Sequence, residues 1–207
     1  MASAERRPLA AEAPLSFTPG EGEAAFPEAA QPVLLLVGAG PEARALARLA
    51  AECGFAVDMA VWDADAGLDP PGEEGTLPDA VAPDIPGLRR HISLAPDDGP
   101  VERCAVGRRH YVCIFPQDEA QATAALEDVL ASHAFYVGLW ATRTERERVW
   151  AALRAAGVPD AELAAVRCPM GLGDLGGAGG PTASAVGVLA DLLAARAGTR
   201  QRFRLED

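Results

Sequence analysis

Short apolar runs alternate with stretches of helical spacing along most of this chain. Residues 33–37 are all apolar, and a run of that length and composition is typical of a strand buried on both faces. Beyond Gly38 the apolar positions return every three or four residues, which predicts a helix packed on the strand. The succession of strand and helix recurs along the chain. It predicts an α/β fold with a doubly wound parallel sheet, Rossmann-like, in three α/β/α layers.

The same patterns place the other elements. Further strands are predicted at residues 55–62, 89–94, 110–115, 134–140 and 166–169. Helices are predicted at residues 119–132, 142–156, 159–164 and 182–197, with one helical turn within 97–106. Thr142 and Glu145 have the spacing of a capping box at the start of their helix. The last helix is expected to bury the face formed by Val186, Leu189, Ala190 and Leu193.

One domain is predicted between residues 32 and 197. Residues 1–31 mix Ala, Glu and Pro without a period, which is typical of a disordered or extended segment, and residues 198–207 have the composition of a charged tail. Residues 63–88 contain seven acidic and no basic residues, with five prolines and four glycines. They predict a long acidic loop, either a solvated insertion or a lid or docking loop. Six glycines in residues 170–181 predict a second loop, whose backbone can come close to a ligand or partner.

Charge and composition limit the partners and the cellular compartment that we expect for this protein. The net charge is −12 and the isoelectric point is near 4.7, so nucleic acid and anionic membrane surfaces are not expected partners. No apolar run reaches the ~18 residues of a membrane helix, and no signal-peptide core follows the N-terminal arginines. The four cysteines lack a C-x-x-C pairing and are read as reduced thiols. We therefore expect a cytoplasmic protein without disulfides.

The turn after the first strand carries a dinucleotide-binding fingerprint, G-x-G-x-x-A. In this pattern Gly38 permits the tight turn, Gly40 lets a pyrophosphate approach the backbone, and Ala43 is small enough for close packing of helix on strand. Asp63 lies 25 residues after Gly38, at the end of the second apolar run. A carboxylate there could bind ribose hydroxyls, which makes NAD(P) a candidate ligand.

Two residues of the turn argue against a phosphate site. Pro41 removes one backbone N–H from the turn, and Glu42 places a negative charge where an anion would sit. The fingerprint therefore predicts the first β-α unit of a Rossmann-like sheet more firmly than it predicts dinucleotide binding.

With these elements placed, the chain resembles the C-terminal Rossmann domain of the XdhC/CoxI family, the accessory proteins of molybdenum hydroxylases. Five pieces carry the resemblance, in the family's order and spacing: Val37-Gly38-Ala39-Gly40, Phe135-Tyr136-Val137-Gly138-Leu139, Ala141-Thr142-Arg143, Ala155-Ala156-Gly157-Val158-Pro159 and Cys168-Pro169-Met170-Gly171-Leu172. The resemblance implies binding of the molybdenum cofactor and its delivery to the apoenzyme of a xanthine dehydrogenase-type enzyme. A homodimer is one alternative for the oligomeric state.

The chain departs from the family's pattern at three places. The family's Thr-His-Asp after the fourth strand is Pro116-Gln117-Asp118 here, which keeps only the acid. The arginine that often follows the second strand is missing from Asp63-Ala64-Asp65. Residues 1–31 contain no counterpart of the family's N-terminal domain with its Cys-Gly-Gly element, so no cofactor ligation through that cysteine is assigned.

Because ligands of doubly wound sheets bind beyond the carboxyl ends of the strands, three more residues are candidates for cofactor binding. Arg143 could clamp a pterin or nucleotide phosphate, or it could pair with Glu147 one turn later. Asp118 could bind a ribose, a pterin amine or water, or it could only cap the next helix. Thr142 begins the helix that carries Arg143.

The sequence predicts no catalytic residue and no metal ligand. Cys168 is read either as a soft ligand for molybdenum or, as the more ordinary alternative, as a small buried hydrophobe. The three histidines have no metal-ligand spacing, and no nucleophile–base pair is evident. A cofactor-binding chaperone is therefore favoured over an enzyme, and a small NAD(P)-dependent oxidoreductase, a nucleotide-binding regulatory module and a scaffold with an inactive site remain as alternatives.

Overall fold

The computed structural model describes residues 31–62, 85–95, 98–171 and 179–198. The strands of these ranges are β1 (Val33–Val37), β2 (Ala56–Trp62), β3 (Leu88–Leu94), β4 (His110–Ile114) and β5 (Tyr136–Leu139). The helices are α1 (Pro41–Glu52), α2 (Pro100–Cys104), α3 (Glu119–Leu130), α4 (Arg143–Ala155), α5 (Asp160–Ala165) and α6 (Gly180–Arg196). In these described ranges no helix is both long enough and apolar enough to cross a bilayer.

The five strands form one parallel sheet in the order β3-β2-β1-β4-β5, which confirms the predicted doubly wound fold. β1 is the central strand, and all five of its residues are buried. Leu34 and Leu36 pack under α1 and α6, whereas Leu35 and Val37 pack under α2 to α5 on the opposite face. The chain therefore has the predicted three layers, and the direction of winding reverses between β1 and β4.

The buried face of α6 differs from the prediction. Val186 and Leu193 are 52% and 37% exposed, so the prediction that they face the core was wrong, whereas Leu189 is buried as expected. The face that packs on α1 and the sheet includes Ser184, Ala185, Val188 and Leu192. Since α6 is apolar on nearly every side, its spacing does not select a face, and contact with neighbouring elements decides which residues are buried.

The last predicted strand, at residues 166–169, is also absent from the described sheet as a regular strand. The segment forms an isolated parallel bridge to β5, in which Arg167 N donates to Val137 O and Leu139 N donates to Arg167 O, both at 2.9 Å. Pro169 has no N–H with which to continue the ladder. The segment thus lies along the edge of β5 for one residue pair and then leaves the sheet.

Several predicted segments lie outside the described residues. They are residues 1–30 of the predicted N-terminal segment, residues 63–84 of the acidic loop, residues 172–178 of the glycine-rich loop, and residues 199–207 of the tail. The described end of the acidic loop belongs to the domain core, because Ile85 is 4% exposed. A Cβ on Gly87 would lie 2.4 Å from the Cβ of Ala51, so this end also packs closely on α1.

Candidate functional site

The carboxyl ends of β1, β4 and β5 lie side by side at one edge of the sheet. Val37 is paired with Ile114, and Ile114 with Leu139, so the turns that follow these strands are neighbours. α1 packs on one face of the sheet, and α3 on the other. In doubly wound domains the crevice that binds ligands lies where the helices diverge in this way. The structure therefore places the following predicted residues along this edge: Gly38, Gly40, Asp118, Thr142 and Arg143.

Gly38 is required by contact with the neighbouring strand. Its φ is +107°, and a Cβ at this position would lie only 2.1 Å from the carbonyl oxygen of Phe115. Gly38 N donates to Ala60 O at 2.8 Å, which fixes the turn to β2 as well. Ala43, the small residue of the fingerprint, lies in the first turn of α1 and is fully buried in the core. Both residues thus support the conformation of the turn through contacts inside the protein.

Gly40 is different, because in the described part of the chain no atom lies close enough to it to require glycine. It precedes the first residue of α1 with φ −58°, and no side chain caps the helix there. Within 4 Å of a Cβ on Gly40, the described atoms include only Oε2 of Glu42, at 3.7 Å. Arg44 lies on the same turn and donates from Nε to Ala39 O at 3.0 Å. The open backbone of Gly40 is therefore bordered by one carboxylate and one guanidinium.

Asp118 caps α3. Its Oδ1 accepts a hydrogen bond from Gln121 N at 2.8 Å, and Gln121 Oε1 accepts one from Gln117 N at 2.9 Å. These reciprocal bonds satisfy backbone donors at the start of the helix. The capping alternative is what the structure shows, and a role of this exposed carboxylate in binding a ligand stays a prediction.

Thr142 and Glu145 form the predicted capping box of α4. Glu145 Oε2 accepts from Thr142 N at 2.8 Å and from the Thr142 hydroxyl at 2.7 Å, and Glu145 N donates back to that hydroxyl at 3.3 Å. The hydrogen bond from the backbone N–H of Thr142, followed by the one from its hydroxyl, lowers the pKa of Glu145. A carboxylate is thus held ionised at the N-terminus of α4.

Arg143 is an exposed cation at this edge. Among the residues that the structure describes, it forms no ion pair with Glu147, so the alternative of a solvated intrahelical pair is not what is seen. Arg146, on the next turn of α4, instead donates from Nη1 to the carbonyl oxygen of Cys168 at 3.3 Å. Of these two guanidinium groups, Arg143 is the one placed to meet an anion in solution.

The comparison with known families gives a match over most of the domain. The family model of the XdhC Rossmann domain matches residues 34–192. The chain belongs to the XdhC family. This assignment confirms the resemblance found in the sequence, and it spans β1 through most of α6.

Comparison with solved structures supports the fold and nothing more. No curated protein matches the chain. A solved structure described as a xanthine dehydrogenase from Bacillus halodurans is 20% identical, with a TM-score of 0.59, over 83% of the XdhC chain and 44% of that chain. The XdhC chain therefore spans less than half the length of this structural neighbour.

One residue that the sequence did not single out, Trp140, lies at the same edge of the sheet. Trp140 follows β5 directly and is half-buried, and its ring centroid lies 5.9 Å from that of Phe115. Sequence reasoning placed Trp140 inside the predicted strand, whereas β5 ends at Leu139. The sequence signal that could have identified Trp140 is an aromatic residue directly after a buried strand. Trp140 gives this XdhC domain an aromatic surface beside the glycine turn.

Cys168 lies beside the turn after β5. Its Sγ is 4.0 Å from the carbonyl oxygen of Ala141, and burial raises the pKa of the thiol to about 11. Because a thiolate is the form that ligates metals, this environment favours the reading as a small hydrophobe. Among the described residues no group of three or more His, Cys, Asp and Glu side chains is arranged to hold a metal ion. Asp63, the predicted ribose ligand, lies outside the described residues.

Proposed function

We propose that this chain is an accessory protein for the maturation of a molybdenum hydroxylase of the xanthine dehydrogenase type, and that it binds the molybdenum cofactor and delivers it to the apoenzyme. The observation that carries the proposal is the match of residues 34–192 to the XdhC Rossmann domain. The crevice at the switch point of the sheet supports it, because this is where doubly wound domains bind their ligands.

The crevice suits a ligand that has a flat ring system and a phosphate. The ring system would lie at the glycine turn, and the phosphate would lie away from it. The open backbone of Gly40 allows close approach of a ring edge, and the half-buried indole of Trp140 offers an apolar face. Arg143 is the group that would bind the phosphate of the molybdenum cofactor, by bidentate hydrogen bonding. The redox chemistry that the cofactor supplies is that of the client enzyme. The residues of this chain would bind, orient and shield the cofactor before its transfer.

The client apoenzyme is the proposed partner. Transfer requires that the cofactor be held reversibly, and a crevice at an open edge of the sheet leaves the ligand accessible from outside. The strongly acidic chain, with net charge −12, would associate best with a basic surface on the client.

A transfer assay tests this proposal. The purified chain is loaded with molybdenum cofactor, separated from free cofactor by gel filtration, and mixed with an apo molybdenum hydroxylase. The proposal predicts a higher yield of active enzyme than the same amount of free cofactor gives, with heat-denatured chain as the control. An equal yield with and without the chain would contradict a delivery role.

A further inference from the structure

The three helices that follow β1, β4 and β5 each carry a carboxylate in the N-terminal turn. Glu42 lies in the first turn of α1, Asp118 caps α3, and Glu145 completes the capping box of α4. In a Rossmann domain the N-terminus of the first helix is the usual position of a pyrophosphate, since unpaired N–H groups and the helix dipole attract anions. At the start of α3, Asp118 already accepts a hydrogen bond from a backbone N–H, and at the start of α4, Thr142 does the same.

The glycine turn is sterically open but electrostatically unsuited to a phosphate. Pro41, the first residue of α1, has no N–H to donate. Of the described groups other than its chain neighbours, the carboxylate of Glu42 is nearest to the space that a Cβ on Gly40 would fill, at 3.7 Å. That space is where a pyrophosphate would approach the backbone. Two negatively charged groups held near each other at this turn would repel each other strongly.

We infer that Glu42 is a specificity-determining residue, which excludes dinucleotides and other diphosphates from a glycine turn that otherwise has the shape to receive them. Among the described residues Gly40 has no packing partner that requires glycine, which leaves its backbone open to a ligand that approaches without a phosphate at α1. The guanidinium of Arg44 borders the same turn through its bond to Ala39 O. Removal of the Glu42 charge would leave the positive end of α1 facing the turn.

The inference is compatible with a phosphate bound elsewhere on the same edge. Arg143 follows β5, and β5 is separated from β1 by β4, so the two positions are about 10 Å apart by the spacing of strands. Repulsion from Glu42 falls off strongly over that distance at physiological salt, where the Debye length is about 8 Å. A single phosphate at Arg143 would therefore be tolerated, whereas a diphosphate at the glycine turn would not.

Nucleotide titration of charge variants tests the inference without any molybdenum compound, so it can fail independently of the proposed function. The probes are ADP and adenosine, titrated calorimetrically at low salt into the full chain and into Glu42→Gln. The matched control is Glu52→Gln, which removes the same charge from the exposed last residue of α1. Thermal unfolding of each variant shows that the fold is kept.

We expect no saturation with ADP up to millimolar concentration for the wild-type chain and for Glu52→Gln. Glu42→Gln should bind ADP at least about tenfold more tightly than either, as removal of one close like charge implies. Adenosine, which has no phosphate, should bind all three proteins alike. The inference is overturned if Glu42→Gln gains no affinity for ADP, if Glu52→Gln gains as much, or if the wild-type chain already binds ADP at micromolar concentration.

Discussion

Arg89 reaches the buried carboxylate of Asp58 from an extra residue in the neighbouring strand. The register of β2 and β3 pairs Val57 with Leu88 but Asp58 with Arg90, so Arg89 forms a β-bulge. Arg89 Nε donates to Asp58 Oδ1 at 2.8 Å, and Arg90 Nη2 donates to Asp58 Oδ2 at 2.6 Å. Without the bulge, two successive side chains would point to opposite faces of the sheet. The bulge thus lets one carboxylate, itself 0% exposed, bind two arginines.

Loss of this carboxylate should destabilise the domain. In Asp58→Asn two arginines lose their ion pair, but their side chains are 45% and 43% exposed and can turn toward water. We therefore expect a loss of about 2 to 3 kcal/mol in the free energy of unfolding, at or below the lower end for buried pairs. Urea unfolding followed by circular dichroism measures it. In the control, Asp160→Asn, the ion pair with Arg154 is exposed and should contribute less than about 1 kcal/mol.

The same ion pair predicts how stability depends on pH. Desolvation is the largest single effect on Asp58 and raises its pKa, but the hydrogen bonds and charges of Arg89 and Arg90 together outweigh it, so the pKa is lowered. The stabilisation is therefore complete above the unfolded-state pKa, about 3.9, and is lost as the pH falls through the folded-state pKa.

Unfolding free energies of wild type and Asp58→Asn, measured from neutral pH to the acid limit, test this dependence. The difference between the two proteins should be largest at neutral pH and should shrink as the pH falls below about 4. A difference that stays constant across this range would show that Asp58 stabilises the fold without its charge.

The same substitution should destabilise the protein much more at Gly38 than at Gly40. Gly38→Ala places a Cβ 2.1 Å from Phe115 O at a φ of +107°, so we expect a cost above about 3 kcal/mol or failure to fold. Among the described atoms beyond its chain neighbours, the Cβ of Gly40→Ala meets only Glu42 Oε2, at 3.7 Å, and the change should cost less than about 1 kcal/mol. Chemical unfolding compares them. Equal stability of the two variants would contradict the contact between β1 and β4 described above.

Local sequence patterns predicted the parts of the fold that local physics decides. Residues 33–37 form a strand as predicted because an all-apolar run of that length fits only a buried environment. The Thr142–Glu145 capping box forms because its partners are three residues apart. The meeting of the glycine turn with the turns after β4 and β5 followed from the topology of a doubly wound sheet.

The features that the sequence did not predict depend on tertiary packing. α6 is apolar on most sides, so its exposed Val186 could not be identified from spacing. The bulge at Arg89 shifts a register that only strand pairing reveals. β5 ends at Leu139, one residue before the predicted end, and that single residue turns Trp140 from a strand residue into a neighbour of the crevice. The place of the Glu42 carboxylate over Gly40 likewise depends on the conformation of the turn.

The most direct test of the proposed cofactor site is the amount of molybdenum and pterin that the chain retains after gel filtration. Wild type, loaded with molybdenum cofactor, should retain both in equal amounts, measured by metal analysis and pterin fluorescence. Arg143→Gln should retain at least about tenfold less, because the charge-assisted contact with the phosphate is lost. Arg148→Gln removes the same charge from an exposed position on the same helix and should retain as much as wild type. A wild-type chain that retains neither molybdenum nor pterin, or an Arg143→Gln variant that retains as much as Arg148→Gln, would contradict the proposed site.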